Sequence, residues 1–210
     1  MTISKRNLSR DHIQRMTITA MFTALIIILV YTPLGMITLG PISTTFAHIP
    51  VIIGLLAEGP VVGLILAFVF GLASMIRAYI APTGLLSVFF QDPLVAILPR
   101  MLFPLAAWGI TLLLRKLLPD TKNMRRLNWA ISGFFASLMH TVFVLYSLYL
   151  LHGQGLIEKI NESNLGQYLN APGRLLFYAV ALPNGIPEAL VTMILTPAIL
   201  MAVTAIKKHR

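Results

Sequence analysis

The sequence contains no cysteine. Disulfide bonds, thiolate catalysis and cysteine-ligated metals are thereby excluded. Charge is scarce as well: 11% of the 210 residues are charged against 57% that are hydrophobic, and the mean hydropathy is +0.84. A water-soluble domain of this length has too little interior to hide that much apolar surface, so lipid is the expected solvent. No GxxxxGK[ST] phosphate loop occurs, so the chain is not expected to hydrolyse ATP by itself. GxSxG and HExxH are also missing, which leaves an intramembrane enzyme little to work with. No internal repeat, heptad or low-complexity tract is visible.

What is present is a series of apolar runs. A bilayer core of roughly 30 Å takes about 20 apolar residues per helix, and six runs fit: 16–37, 46–57, 60–79, 93–115, 127–151 and 174–206. The first follows a basic segment. It is too long for a signal-peptide core and lacks a small-x-small cleavage site, so it is read as a helix. The second would span only about 18 Å, so the preceding "TLGPISTTFAH" is a candidate for a re-entrant loop. Asp92 followed by Pro93 supplies a capping acid and a proline at the first helical position, a good start for the fourth. Pro183, Pro187 and Pro197 are expected to bend or break the sixth. The expected fold is an all-α integral membrane protein. One compact six-helix bundle covers 16–206, between a basic N-terminus (1–15) and a basic C-terminus (207–210), and 1–210 form a single domain.

The formal charge is +9, with a pI near 10.3. Twelve of the sixteen basic residues fall in three segments: Lys5, Arg6, Arg10 and Arg15; Arg115, Lys116, Lys122, Arg125 and Arg126; Lys207, Lys208 and Arg210. With six spans these segments share one side, so the positive-inside rule makes both termini cytoplasmic. Topology and anionic lipid then explain the charge, and nucleic acid is not an expected partner. The opposite face carries loops near 38–45, 80–92 and 153–173, Gly- and Pro-rich with Phe89, Phe90 and Tyr168. Loops of this kind act either as lids over a cavity or as plain connections.

Arg100 is the most informative residue. It lies seven residues past Pro93, about 10 Å into the fourth span. A charge near mid-bilayer costs about 2.5–3.5 kcal/mol on insertion scales. Three placements are open to it: snorkelling outward, pairing with Asp92 or Glu188, or lining an outward pocket that receives an anion, for which its planar donors suit a carboxylate. Asn184 and Glu188, four apart between prolines in "ALPNGIPEAL", share one helical face. They either help to build a mid-membrane site or hydrogen-bond between helices. His140 sits on a mildly polar stripe with Ser137, Val144, Ser147 and Leu151, and Tyr146 lies further out on the same span. The imidazole is a packing residue or a ligand contact. No metal site is expected, because no second histidine lies at i+3 or i+4. Gly59, Gly63, Ala67 and Gly71 form a small-residue stripe suited to internal helix packing. Ala20 and Ala24 form another, which could instead meet a second subunit.

With these residues in view, the chain resembles the substrate-binding S component of an energy-coupling factor (ECF) vitamin transporter. "AMFTA", Ala20 to Ala24, is similar to the family's A-x-x-x-A on helix 1. "TFAHIPVIIGLLAEGPVVGLILAFVFGLASMI" resembles helices 2 and 3 of the pantothenate branch, and "LPRMLF" and "NGIPEAL" resemble its helices 4 and 6. The likeness covers about 16–206. It implies a multi-pass subunit of the bacterial cell membrane that captures a vitamin from outside, closes outer loops over it and binds a transmembrane coupling subunit through Ala20 and Ala24. It then topples to present the site inside. Two ABC-type ATPase partners use ATP and Mg; this chain needs no cofactor and is not an enzyme. The implied ligand is pantothenate. Arg100 would neutralise its carboxylate, Asn184 and His140 would meet its amide or hydroxyls, and Phe46 and Phe89 would pack its dimethyl end, with Tyr146 among the contacts. Folate and a hydroxymethylpyrimidine-type thiamin precursor are rival ligands; the latter would leave Arg100 without a counter-charge.

Overall fold

The computed structural model describes residues 2–39, 42–82, 86–161 and 176–208. Helix α1 runs Thr2–Tyr31, and a 3-10 turn at Pro33–Gly35 leads into strands β1 (Met36–Leu39) and β2 (Ile42–Thr45). Helices α2 (His48–Glu58) and α3 (Pro60–Ile80) follow, then a 3-10 turn at Ser87–Gln91, α4 (Pro93–Ala96), α5 (Leu98–Leu117) and α6 (Lys122–Asn161). A π-helical segment, Leu176–Gly185, continues into α7 (Ile186–Lys208). Five stretches are long and apolar enough to cross a membrane: His12–Tyr31, Pro60–Ile80, Pro93–Leu117, Lys122–Leu156 and Ala181–Ala205. At 11 residues, α2 is apolar but shorter than these five.

The region expected as a loop near 38–45 forms part of an antiparallel hairpin, so the described fold is helical with one short ribbon. β1 and β2 pair antiparallel, with Met36 opposite Thr45 and Leu39 opposite Ile42. "MITL" and "ISTT" are rich in β-branched residues, which favour a pleated ribbon over a helix. The 153–173 loop begins as a continuation of α6 to Asn161, and the rest of it, Tyr168 included, lies outside the described residues, as do 83–85.

Prolines set the breaks in the long spans. Asp92 caps α4 as expected, its carboxylate accepting from the Leu94 amide at 2.9 Å, with Pro93 in the first turn. The fourth span is nevertheless two helices. Pro99 has no N–H to offer the carbonyl of Val95, and the chain breaks at Ile97 before α5 begins. In the sixth span the irregularity is the π-helical segment around Pro183. α6 is kinked at His152, where the backbone leaves helical geometry.

The main core joins Phe22 and Ile26 of α1, Ile52, Ile53 and Leu55 of α2, Leu66 and Phe70 of α3, Phe103 of α5 and Leu200 of α7. The small-residue stripe of α3 makes this closeness possible. A Cβ on Gly63 would lie 2.6 Å from the Leu55 side chain, and one on Gly71 would lie 3.0 Å from Ala96 O and Ile97 Cα. The α4–α5 break therefore rests directly on α3. Gly59, at φ +94°, makes the α2–α3 turn. Outward, Ile28, Val61, Ile65, Phe68, Leu113, Tyr146 and Ile194 are exposed. So broad an apolar exterior calls for lipid or a partner rather than water. Ala20 and Ala24 are also exposed, on α1. Near the middle of α1, Arg15 pairs with the buried Glu58 carboxylate at 3.5 Å and donates to the Glu58 carbonyl at 3.1 Å, tying α1 to α2.

Candidate functional site

The Pro99 break that divides the fourth span also places Arg100. Because Pro99 frees the Val95 carbonyl, the guanidinium of the next residue takes it, Nη1 donating to Val95 O at 2.9 Å. The side chain is 4% exposed, so it does not snorkel. No carboxylate pairs with it among the described residues. Asp92 instead faces His152 at 3.0 Å, and Glu188 accepts from the Thr45 amide at 2.9 Å. The guanidinium is held between aromatic faces, 5.3 Å from the Phe70 ring and 4.6 Å from the Phe90 ring. Cation–π attraction supports a charge there without neutralising it. Its Nε is buried and lacks a partner among the described residues.

A second polar group faces it. His140 of α6 stacks on His48 of α2, with centroids 5.0 Å apart and planes at 12°. Phe70 and Phe103 wall the same ring at 5.7 and 5.1 Å. His140 is buried, and neither ring nitrogen has a hydrogen-bond partner among the described residues. His48 is fully satisfied. Its Nδ1–H donates to the Thr45 carbonyl at 2.9 Å, since a carbonyl only accepts, and its Nε2 therefore accepts. The Ser137 hydroxyl, 3.1 Å away, is the donor to it. Thr192, at 3.3 Å from the same nitrogen, directs its own proton to the Glu188 carbonyl at 2.7 Å. Asn184 is buried at the end of the π-helical segment, beside Gly185, which packs against Thr141 of α6.

Of the residues singled out in sequence, Arg100, His140, Asn184 and Glu188 are all buried, and Phe70 touches both Arg100 and His140. Phe46 packs at the edge of the main core. Phe89 is turned to the His152 ring at 5.2 Å and is not a ring that covers Arg100; its neighbour Phe90 is. Tyr146 is 60% exposed. Six residues past His140, it stands about 240° around the helix and belongs to the outer surface. The sequence reading missed His48, whose only signal was an imidazole at the start of an apolar run. The ring nitrogens of His48 and His140 and a Glu188 oxygen lie within 4.8 Å of one another, a donor set that could hold a metal ion. The absence of a second histidine on the same helix was thus no argument, because the second imidazole comes from α2. The positive charge of Arg100 bears on both rings, which disfavours a cation between them.

The buried Arg100 guanidinium and the unsatisfied His140 imidazole lie inside a bundle with an apolar exterior, an arrangement suited to a membrane-embedded binding protein. A family model described as "ECF transporter, substrate-specific component" matches residues 14–200, and the chain belongs to this family. It is therefore a multi-pass transport subunit and not an enzyme. It is similar to the pantothenic acid transporter PanT of Lactococcus lactis subsp. cremoris (strain MG1363), with 26% identity over 182 residues, covering 80% of this chain and 82% of that protein.

Proposed function

We propose that this chain is the substrate-binding subunit of an ATP-driven importer in the bacterial cell membrane, and that its ligand is pantothenate. One observation carries the reading: Arg100 is buried without a carboxylate partner among the described residues. A buried cation of this kind gains most from a ligand that brings the missing anion. Pantothenate has one carboxylate, and its other end offers an amide and two hydroxyls. Arg100 takes the carboxylate, with Phe90 of the outer turn closing over the guanidinium. Asn184 and His140 meet the polar groups. The likeness to PanT supports this ligand over folate and over a hydroxymethylpyrimidine, which has no negative charge to offer Arg100.

In the assembled importer, α2 and the five longer spans form six crossings with both termini cytoplasmic. The exposed Ala20 and Ala24 dock on the coupling subunit, and ATP and Mg are used by two partner ATPases. The test is ligand-induced thermal stabilisation and calorimetric binding of the purified protein against a panel of water-soluble vitamins. Pantothenate is expected to stabilise the wild type, and R100A is expected to insert normally but lose the response. An unchanged affinity in R100A, or a response to hydroxymethylpyrimidine in place of pantothenate, overturns the assignment.

A further inference from the structure

The geometry points to a second recognition pole, formed by His48, His140 and Glu188, that reads a ligand group able both to donate and to accept hydrogen bonds, and so sets specificity. This rests on the reading of the site as one for a small carboxylate.

The chemistry of the unsatisfied atoms limits what fits. A neutral imidazole carries one N–H and one lone pair. In His140 both are buried and both lack partners among the described residues. The two ring nitrogens point to opposite edges, so one ligand group meets only one of them; the His140 nitrogen within 4.8 Å of a Glu188 oxygen leaves room for a hydroxyl that accepts from the imidazole N–H and donates to the carboxylate. A second carboxylate offers acceptors only and would meet the Glu188 side chain within 4.8 Å of the imidazole nitrogens. A bare cation would meet the charge of Arg100. The pole therefore selects monocarboxylates that carry a hydroxyl at the far end, and rejects dicarboxylates.

The three residues have different parts. His140 supplies the unmet atoms. His48 is a positioning residue: Thr45 O fixes its Nδ1–H, Ser137 occupies its Nε2, and its ring face holds His140 by stacking. Glu188 is anchored through Oε1 to the Thr45 amide, and one of its oxygens lies within 4.8 Å of a nitrogen on each imidazole. The ends of the ligand are then told apart by Arg100 at one pole and by these three side chains at the other.

Three ligands separate the poles: pantothenate, its primary-alcohol analogue panthenol, and a deoxy analogue lacking the hydroxyl beside the amide carbonyl. Binding is measured by calorimetry on the full chain in nanodiscs. His140→Phe keeps an aromatic ring against His48, Phe70 and Phe103 and removes both nitrogens; Glu188→Gln keeps the shape of the carboxyl group. Each is expected to weaken pantothenate about tenfold or more, the scale of one buried hydrogen bond, while changing affinity for the deoxy analogue less than threefold. R100A is expected to weaken pantothenate and the deoxy analogue alike and panthenol least. If H140F and E188Q weaken pantothenate and the deoxy analogue equally, or neither, the second pole is overturned while the Arg100 assignment stands. If the wild type binds none of the three, the functional reading fails and this inference with it. If Zn²⁺, Ni²⁺ or Co²⁺ raises the thermal stability of the wild type, and H140F removes that effect, the pole is an ion site and the hydroxyl reading is overturned.

Discussion

At the scale of single residues, Arg100 is held by geometry rather than by charge. A carbonyl freed by Pro99 takes one arm, and Phe70 and Phe90 cover its faces. Lysine would keep the charge but lose the planar fork and the stacking. R100K is therefore expected to bind pantothenate at least tenfold more weakly than wild type, and R100A at a cost of about 2–5 kcal/mol, both read by calorimetry. A lysine variant with wild-type affinity would mean that the ligand needs only a point charge. Arg100, Glu188 and His140 were legible in sequence because a polar group among leucines is costly and so conspicuous. His48 was not: at the start of a short span an imidazole has several ordinary uses, and its pairing with His140 is made across helices. The choice between Phe89 and Phe90 was equally hidden, because the phase of the 3-10 turn is set by packing against α3 and α6.

At the scale of elements, the irregularity expected in the sixth span appears around Pro183, whereas α7 runs unbroken through Pro187 and Pro197, and the break in the fourth span depends on tertiary packing. Asp92–Pro93 was readable as a helix start from local chemistry alone, whereas the break at Ile97 was not. That break is seated on Gly71, which also brings Phe70 alongside Arg100. A side chain at 71 would press on the backbone of Ala96 and Ile97, which has little room to yield. Gly71→Val is expected to destabilise the protein by about 1–3 kcal/mol and to lower ligand affinity, although residue 71 itself is not assigned a ligand contact. Thermal unfolding in detergent and calorimetry read the two effects. A variant with unchanged melting would show that α3 and the break can separate freely. The hairpin escaped the helical reading because eight residues with a central Gly-Pro carry too little periodicity to tell a ribbon from a dipping loop.

At the scale of the whole molecule, a chain without cysteine is open to topology mapping by single introduced thiols. A cysteine at Ser4 or His209 is expected to resist a membrane-impermeant maleimide in intact cells and to react after lysis; a cysteine at Gly153 is expected to react in intact cells. Labelling of Ser4→Cys from outside would invert the proposed orientation. Ala20 and Ala24 stand on an exposed face of α1, apart from Arg100 and His140. A20L/A24L is therefore expected to keep vitamin affinity within twofold and to lose co-purification with the coupling subunit. Equal loss of both would place that face inside the binding protein's own packing.

The two backbone polar groups of Thr45 point in different chemical directions: its amide hydrogen goes to Glu188 and its carbonyl to His48. The ribbon is thereby fastened to two helices by one residue. Lifting the ribbon would strip Glu188 and His48 of a partner in the same movement, so the two side chains are held or released together. Deuterium uptake at the Thr45 amide is expected to be slow, and to speed up in Glu188→Ala, which removes the acceptor that holds it.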